Sequence, residues 1–465
     1  MRSKQDTQGV LEFQRSSLAE TVKYYTRYEA IDRTLKATPG IVDLVHRDLS
    51  KALERQNRKR DRKCEYTSDN VLRIMLCKII EGESYRGISV RIDDSNFLRR
   101  FTRIHDKSMM GFAALNMLAN QVAPETWKKV NDVLARHAVD NDLIEGKKLR
   151  LDTTAVETNI HYPTDSSLLW DVYRVLARCV EKAREVDPIV VGNKRLQATR
   201  AKKLRTKITR MAGRKTKSLK RPYKALIRLV ETILAWSVDV ADELEKRLNR
   251  YGPVEYFIAK SLIEQIRHFV ELGTRVVDQA QRRVMNGEKV SNDEKLFSIF
   301  EPHTELLKRG KAGKPIEYGH MVLLQQVDGK FISDYEVFDK KPVEHALVDA
   351  AIKSHTKLFD CAPEVLAADK GFYESMDRIA ELEADIDLVS IGKKGARTEE
   401  QTERETDVLF KLAQKFRAGI EGSISFLKRC LRLFRCFNKG LAHFHATVGL
   451  TVFAHNLVVL ARGTG

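Results

Sequence analysis

The sequence contains few cysteines, and none of them are spaced as a pair. Six thiols are scattered over 465 residues without a CxxC motif. This spacing favours neither a zinc ribbon nor a disulfide framework, so we expect reduced cysteines, several of them in the core. The six are Cys64, Cys77, Cys179, Cys361, Cys430 and Cys436.

Long apolar runs are also missing. No uninterrupted run reaches the ~18 apolar residues that a membrane-spanning helix needs. The first residues, Met-Arg-Ser-Lys-Gln-Asp, lack the apolar segment of a signal peptide. The sequence therefore predicts a cytoplasmic protein.

Acidic residues are outnumbered. The chain has 64 Asp and Glu against 82 Lys and Arg, which gives a net charge of +18. The segment 194–221 alone contains thirteen Lys or Arg and no acid. Like charges at this density repel one another, so the segment gains most when phosphates neutralise it. The charge balance indicates a polyanionic partner, most simply nucleic acid, with a membrane surface as the weaker option. Lys202, Lys203 and Arg205 are candidate DNA contacts.

The length is that of two to four domains. We expect four parts, which are a basic helical arm (1–65), a helical domain (66–145), an α/β domain made of two segments (146–165 and 296–465), and a basic helical insertion (166–295). In the insertion, Asp165 or Ser166 can cap the first helix.

Three short helices begin the second part. Ser68 can cap a helix that ends at Gly82, and shorter helices follow over 84–92 and 95–101. Exposed arginines, among them Arg86, make the group compatible with a helix-turn-helix DNA reader. A plain helical bundle explains the same pattern equally well, because helix-turn-helix geometry has no strict sequence signature.

The segment 147–158 alternates apolar and polar residues with a period of two, which predicts a strand. Asp152 lies in its middle. A carboxylate there loses solvation, and such a group is usually paired, hydrogen-bonded or bound to a metal ion.

The last third of the chain predicts a second series of strands and helices. Glu364–Asp369 is a short apolar run ending in an acid, as in a buried central strand, and Asp369 lies where α/β sheets place ligand sites. The other expected elements are a hairpin over 319–328 and 331–338 with Asp-Gly at its turn, a helix at 343–356, a helix at 374–384, a strand at 386–391, a polar loop at 392–406 and a long helix from 408.

On the last helix, Arg417, Glu421 and Lys428 share one face. Such a set can be an ordinary surface salt bridge. The order of strands and helices, with acids on the first strand, on the central strand and on the last helix, instead predicts an α/β core of RNase H-like fold, a mixed sheet flanked by helices. In that fold, carboxylates converge on two divalent cations about 3.5–4 Å apart that promote phosphodiester cleavage.

Three blocks of the sequence resemble those of bacterial insertion-sequence DDE transposases. They are Leu151-Asp-Thr-Thr-Ala-Val-Glu-Thr158, Leu366-Ala-Ala-Asp-Lys-Gly-Phe-Tyr373, and Arg417-Ala-Gly-Ile-Glu421 with Lys428. The stretch from Thr158 to Asp171 is similar to the ISNCY-type group. The likeness covers most of the chain, including the helical region 66–104.

The resemblance implies that Asp152, Asp369 and Glu421 are catalytic metal ligands for two Mg²⁺ ions, with Mn²⁺ as a substitute. It also implies that Arg417 and Lys428 aid DNA binding, with Lys370 beside them. The implied partners are double-stranded DNA, as inverted repeats and target, and further copies of the chain in a dimer or larger assembly at the bacterial nucleoid. One position departs from the related signature, which has a tyrosine where this chain has Gln414.

Two alternatives stay open. An RNase H-like nuclease or resolvase would cut DNA without joining it to a target, and a non-catalytic DNA-binding protein would use the acids structurally. The three histidines of the C-terminal helical pattern are expected in the core or on the surface rather than on a metal. They are His443, His445 and His455.

Overall fold

The computed structural model describes residues 4, 18–55, 65–211, 213, 216–308 and 315–463. Within them the chain forms helices and strands in a mixed α/β architecture in which helix dominates. The helices are α1 (Ala19–Ala37), α2 (Pro39–Arg55), α3 (Ser68–Ile80), α4 (Tyr85–Asp94), α5 (Asn96–Thr102), α6 (Phe112–Ala119), α7 (Pro124–Asp140), α8 (Asp165–Val186), α9 (Pro188–Val191), α10 (Ala198–Arg210), α11 (Thr216–Arg247), α12 (Pro253–Ala280), α13 (Val348–Phe359), α14 (Met376–Leu382), α15 (Glu399–Thr406), α16 (Val408–Arg429) and α17 (Leu441–Gly463). The strands are β1 (Lys148–Thr158), β2 (Glu305–Lys308), β3 (Ile316–Gln326), β4 (Ile332–Phe338), β5 (Val365–Ala368), β6 (Leu388–Ile391) and β7 (Arg435–Cys436).

The chain divides into two compact units. The first consists of Met1–Thr158 and Gly319–Gly465, and the second of Asn159–Tyr318. The first unit therefore includes the N-terminal helices as well as most of the sheet. The division into four parts stays a prediction, and so does the helical arm at 1–65, whose positions 1–3, 5–17 and 56–64 lie outside the described residues.

The mixed sheet has seven strands in the order β2-β3-β1-β5-β6, with β4 on β3 and β7 on β1. β3 runs antiparallel to β1, whereas β5 and β6 run parallel to it. The predicted hairpin is confirmed, and Gly329 in its turn has a φ of 69° that suits glycine. The predicted central strand is confirmed too, because β5 is paired on both sides.

Local signals placed most helix starts correctly. The helices predicted over 84–92 and 95–101 are α4 and α5, and Ser84 and Ser95 cap them. The Ser68 prediction was wrong by one residue, because Thr67 caps α3 through a reciprocal pair with Asn70.

Two further predictions were wrong. Asp165 and Ser166 do not cap α8, since Thr164 does so with Ser167. Asp165 instead accepts hydrogen bonds from Arg283 at 2.9 Å and from Gln279 at 3.2 Å. The segment 392–406 is not entirely loop, because Thr398 and Gln401 form a capping box that starts α15.

Helix α17 runs through the core of the first unit. Within the described residues it is the one helix long and apolar enough to cross a membrane, but 78% of its most apolar window is buried inside the protein. Asn456 pairs with both backbone polar groups of Ile332 on β4. Gly449 is required for its close packing, since a Cβ there would lie 2.7 Å from Trp127 Cβ. These contacts are those of a core helix.

The second unit is built on four helices. α8, α10, α11 and α12 share an apolar core that includes Leu176, Val230 and Ile266, all fully buried. Helices α11 and α12 follow one another in the chain and pack against each other, with Gly252 just before the start of α12. The basic segment 194–221 thus contains a helix, α10, that packs on this core through Ala201 and Ile208.

Two buried histidines make stability depend on pH. Burial lowers the pKa of both His355 and His455 to about 4. Each ring forms a hydrogen bond with a backbone carbonyl, but this bond does not offset the loss of solvation. The unfolded chain takes up protons at these side chains near pH 6.5. Stability is therefore full above that pH and is lost as the pH falls toward 4, by about 3 kcal/mol for each histidine.

The variant His455→Gln keeps a donor for the Lys330 carbonyl but cannot be protonated. Urea unfolding is measured at several pH values from about 7 to about 4, a range that covers the pKa of His455 in the unfolded and in the folded chain. Over this range the variant should lose about 3 kcal/mol less stability than the native protein. Superimposable pH profiles would show that His455 is not held neutral in the folded state.

Candidate functional site

Two of the predicted acids belong to neighbouring strands, Asp152 within β1 and Asp369 directly after the last residue of β5. β1 and β5 are parallel, and Leu151 pairs with Ala368 at the end of β5. Asp152 and Asp369 follow these two residues, and the backbone of Asp369 is still extended. Adjacent strands lie about 4.8 Å apart, and residues at paired positions project from the same face. The register therefore brings the backbone positions of the two acids next to each other at the carboxyl edge of β5.

Helix α16 covers the face on which Asp152 projects. Arg150, two residues earlier on the same face, donates from Nε to Gln326 Oε1 at 2.8 Å and from Nη1 to the Phe416 carbonyl at 2.5 Å. A Cβ on Gly419 would lie 2.4 Å from Arg150 Nη1, so this turn of α16 requires glycine to approach the strand. Burial lowers the pKa of Arg150 to about 10.

One flank of α16 faces β5 and β6. Gln414 Nε2 donates to the Ser390 carbonyl at 2.7 Å and to the Ala368 carbonyl at 3.2 Å. Arg417, Glu421 and Lys428 follow three, seven and fourteen residues later, and this spacing returns to the same flank of a helix. Gln414 thus fixes the orientation of the helix that carries the third acid, at the position where the related signature has tyrosine.

The third acid forms a salt bridge within its own helix. Glu421 is 66% exposed and accepts a hydrogen bond from Arg417 Nη1 at 3.2 Å. Lys428 Nζ donates to the Ala155 carbonyl of β1 at 2.6 Å. Within the described residues, no three side chains of Asp, Glu, His or Cys lie close enough together to hold a metal ion. The structure therefore places Asp152 and Asp369 on adjacent strands, directly after the paired residues Leu151 and Ala368, and leaves Glu421 paired with Arg417.

A fourth carboxylate near this edge was missed from the sequence. Glu344 accepts a hydrogen bond from the Thr153 hydroxyl, beside Asp152 in the chain. A Cβ on Gly371 would lie 1.9 Å from Glu344 Oε2 and 3.0 Å from Asp369 Oδ1. Because both oxygens lie close to this one point, the carboxylates of Glu344 and Asp369 are neighbours. Glu344 stands in a short 3-10 turn before α13. No motif or periodicity marks it, because its position depends on how that turn packs.

The three histidines of the C-terminal helical pattern do not form a cluster. His455 is a buried core residue, as predicted, and donates from Nε2 to the Lys330 carbonyl at 3.1 Å. His443 lies beside the backbone carbonyl of Lys439 at 2.7 Å. His445 pairs with Asp339 at 3.2 Å. Each has its own neighbours, in keeping with core and surface roles.

Two candidate DNA contacts of the first unit, Arg86 and Lys370, are exposed. Lys370 lies in the turn directly after Asp369. Arg86, on α4, lies over the ring of Phe112 with 4.3 Å to the ring centroid. Neither residue forms an ion pair with another described residue, so both remain open to an anionic partner.

In the second unit, α10 presents a row of cations. Lys202 and Lys203 are exposed and Arg205 is half-buried. None of the basic side chains of this helix forms an ion pair within the described part of the chain. By contrast, Arg267 of the same unit is paired with Glu245, and Arg282 with Glu288 at 2.5 Å. The uncompensated charge of α10 is therefore a local feature and not the general state of arginines in this unit.

Comparisons with protein-family models, with curated proteins and with solved structures find no match for this chain.

The bonds of Gln414 can be tested by two substitutions. Gln414→Ala removes the donor that serves the Ser390 and Ala368 carbonyls, and it should lower the free energy of unfolding by about 1–3 kcal/mol. Gln414→Glu keeps the shape but places a carboxylate against two carbonyl oxygens, so it should destabilise at least as much. Urea unfolding measures both variants. A Gln414→Glu protein as stable as the native one would contradict the orienting role of this side chain.

Proposed function

We propose that the protein is a DDE transposase with an RNase H-like catalytic core. The observation that carries the proposal is the parallel register of β1 and β5, which pairs Leu151 with Ala368, the residues just before Asp152 and Asp369. The hairpin β3–β4 antiparallel to β1 on one side, and β5 and β6 parallel to it on the other, supports the RNase H-like assignment. The packing of α16, the helix that carries Glu421, on β1, β5 and β6 supports it further.

The donor set at this edge fits magnesium. Carboxylate oxygens are the ligands that Mg²⁺ selects, and the two aspartates provide them from adjacent strands. Bound Mg²⁺ would supply activation of a water or 3′-hydroxyl and stabilisation of the leaving oxygen. Asp152 and Asp369 would hold it from the sheet. Glu421 would join them by exchanging its bond to Arg417 for the site.

The neighbouring cations have roles that follow from their positions. Arg417, once Glu421 turns away, is free to bind a DNA phosphate at the same flank of α16. Lys370 follows Asp369 and is exposed to a backbone passing over the edge. Lys428 ties α16 to the strand that carries Asp152. These residues position DNA, while the acids act on the phosphodiester.

Substrate binding would involve both units. The cations of α10, with Lys202, Lys203 and Arg205, would bind phosphates of double-stranded DNA without reading sequence. Arg86 on α4 would contribute where the helical region meets DNA. Pairing two inverted repeats and a target requires more than one active site, so we propose a dimer or larger assembly acting at the bacterial nucleoid.

The acids are tested by isosteric substitution. Asp152→Asn, Asp369→Asn and Glu421→Gln should each abolish Mg²⁺-dependent cleavage of DNA carrying the element's ends, because an amide cannot replace an anionic metal ligand. Binding to the same DNA in EDTA should be retained. Cleavage is measured on labelled ends, and transfer on a target plasmid, which separates a transposase from a nuclease or resolvase.

The matched control is Glu400→Gln, which changes an exposed acid on α15 that has no part in the proposed metal site. It should cleave at the native rate. Native cleavage by the Asp152 or Asp369 variant would reject the proposed site, and native cleavage by the Glu421 variant would reject that residue alone.

The cations of α10 are tested by salt dependence. Replacing Lys202 and Lys203 by Gln should weaken binding to all duplex sequences alike and reduce the slope of log K against log salt by about 1.8. Fluorescence anisotropy at several salt concentrations measures this slope. The control is Arg267→Gln, which removes a cation already paired with Glu245 and should leave the slope unchanged. A slope that does not differ between the two variants would exclude α10 from the interface.

One observation favours a second candidate. Glu421 is paired with Arg417, and the described residues contain no assembled metal-binding group. A non-catalytic DNA-binding protein would look the same and would use these acids structurally. Intact DNA binding without any metal-dependent cleavage would decide for this candidate.

A further inference from the structure

A surface segment between α16 and α17 exposes two phenylalanines. Phe434 is 45% exposed and Phe437 is 59% exposed. Their ring centroids lie 6.1 Å apart with an interplanar angle of 82°. The residues between and before them are anchored in the core, which turns the rings outward. These anchors are Leu431, Leu433 and Cys436.

The segment is fixed to the end of β1. Arg435 Nη2 and Glu157 Oε2 are 2.7 Å apart, and the Phe434 carbonyl accepts a hydrogen bond from the Glu157 amide at 3.1 Å. β7 continues this pairing, with Cys436 opposite Thr158. Because the backbone is held at these points, the two rings are presented with little conformational entropy left to lose on binding.

Unpaired cations flank the rings in the sequence. Arg429, Arg432 and Lys439 are exposed, and none of them forms an ion pair with another described residue. Together with Phe434 and Phe437 they make up what we call the basic aromatic surface. Exposed aromatic rings interleaved with free cations are the combination that binds single-stranded nucleic acid, since bases stack on the rings and phosphates meet the cations.

We propose that the basic aromatic surface binds an unpaired stretch of the DNA substrate, a role that rests on the proposed function. Glu157 is five residues beyond Asp152 on β1, which is about 17 Å along a strand. At 3.4 Å for each stacked nucleotide this corresponds to about five nucleotides. A strand with its reacting phosphate at Asp152 therefore reaches the rings within a short unpaired end.

A second copy of the chain is the other possible occupant of an exposed apolar surface. Charge argues against it. Two copies meeting here through the same surface would bring together two sets of unpaired cations from Arg429, Arg432 and Lys439. An anionic strand is complementary to this charge, and a second basic surface is not.

The test compares two DNA probes in buffer with EDTA and without metal. One is a labelled duplex with a single-stranded end, and the other is the same duplex with blunt ends. The double variant Phe434→Ala, Phe437→Ala should bind the unpaired end at least about fivefold more weakly than the native protein. Its affinity for the blunt duplex should be unchanged, because paired bases offer no free faces to the rings.

Two controls separate stacking from folding. The double variant Phe434→Trp, Phe437→Trp keeps aromatic faces and should restore binding of the unpaired end. Phe257→Ala removes another phenylalanine, 69% exposed on α12, and should leave both affinities at the native value. Thermal unfolding of each variant shows whether the fold is intact.

Three results would overturn the proposal. The first is native affinity of the alanine variant for the unpaired end, and the second is an equal loss of its affinity for both probes. The third is a lower molar mass of the alanine variant in solution than of the native protein, which would make the surface an interface between copies. Since all measurements are made without metal, they do not depend on cleavage. A protein that binds unpaired DNA through these rings and yet never cleaves would contradict the proposed function alone.

Discussion

The parallel pairing of β1 with β5 is the constraint on which the candidate site depends. Because Leu151 pairs with Ala368, the acids that follow have neighbouring backbone positions although more than two hundred residues separate them in the chain. A shift of one residue in this register would move one carboxylate to the opposite face of the sheet. Arg150 makes such a shift costly, since it ties β1 to Gln326 on one side and to α16 above.

Cations with a hydrogen-bond or ion-pair partner and cations without one occupy different places in the structure. In the first unit, buried or half-buried cations are engaged: Arg150 with Gln326, Lys428 with Ala155 and Arg435 with Glu157. These residues hold α16 and the following segment against β1. The uncompensated cations lie instead on exposed surfaces, on α10 and around Phe434 and Phe437. Such charges cost little in water and are available to phosphates.

Local patterns predicted the elements that carry the acids. Alternation over 147–158, the apolar run before Asp369 and the helical spacing around Glu421 each specify an element by themselves, and the structure has all three. The start of α8 was assigned to the wrong residue because several adjacent residues are suitable caps. The helix α15 was not predicted because its segment is charged and has no apolar periodicity. Glu344 could not be predicted, since its nearness to Asp369 arises only from packing of a turn. The helical spacing also placed Arg417 and Glu421 on one face, and the surface salt bridge that this spacing allows is present in the structure.

The most direct measurement of the central claim is anomalous diffraction from crystals of the protein soaked with Mn²⁺. The account predicts manganese peaks between the carboxylates of Asp152 and Asp369, with Glu421 turned from Arg417 toward them. Peaks elsewhere, or a carboxyl edge of β5 without manganese at saturating concentration, would contradict it and leave a basic DNA-binding protein whose acids serve only the fold.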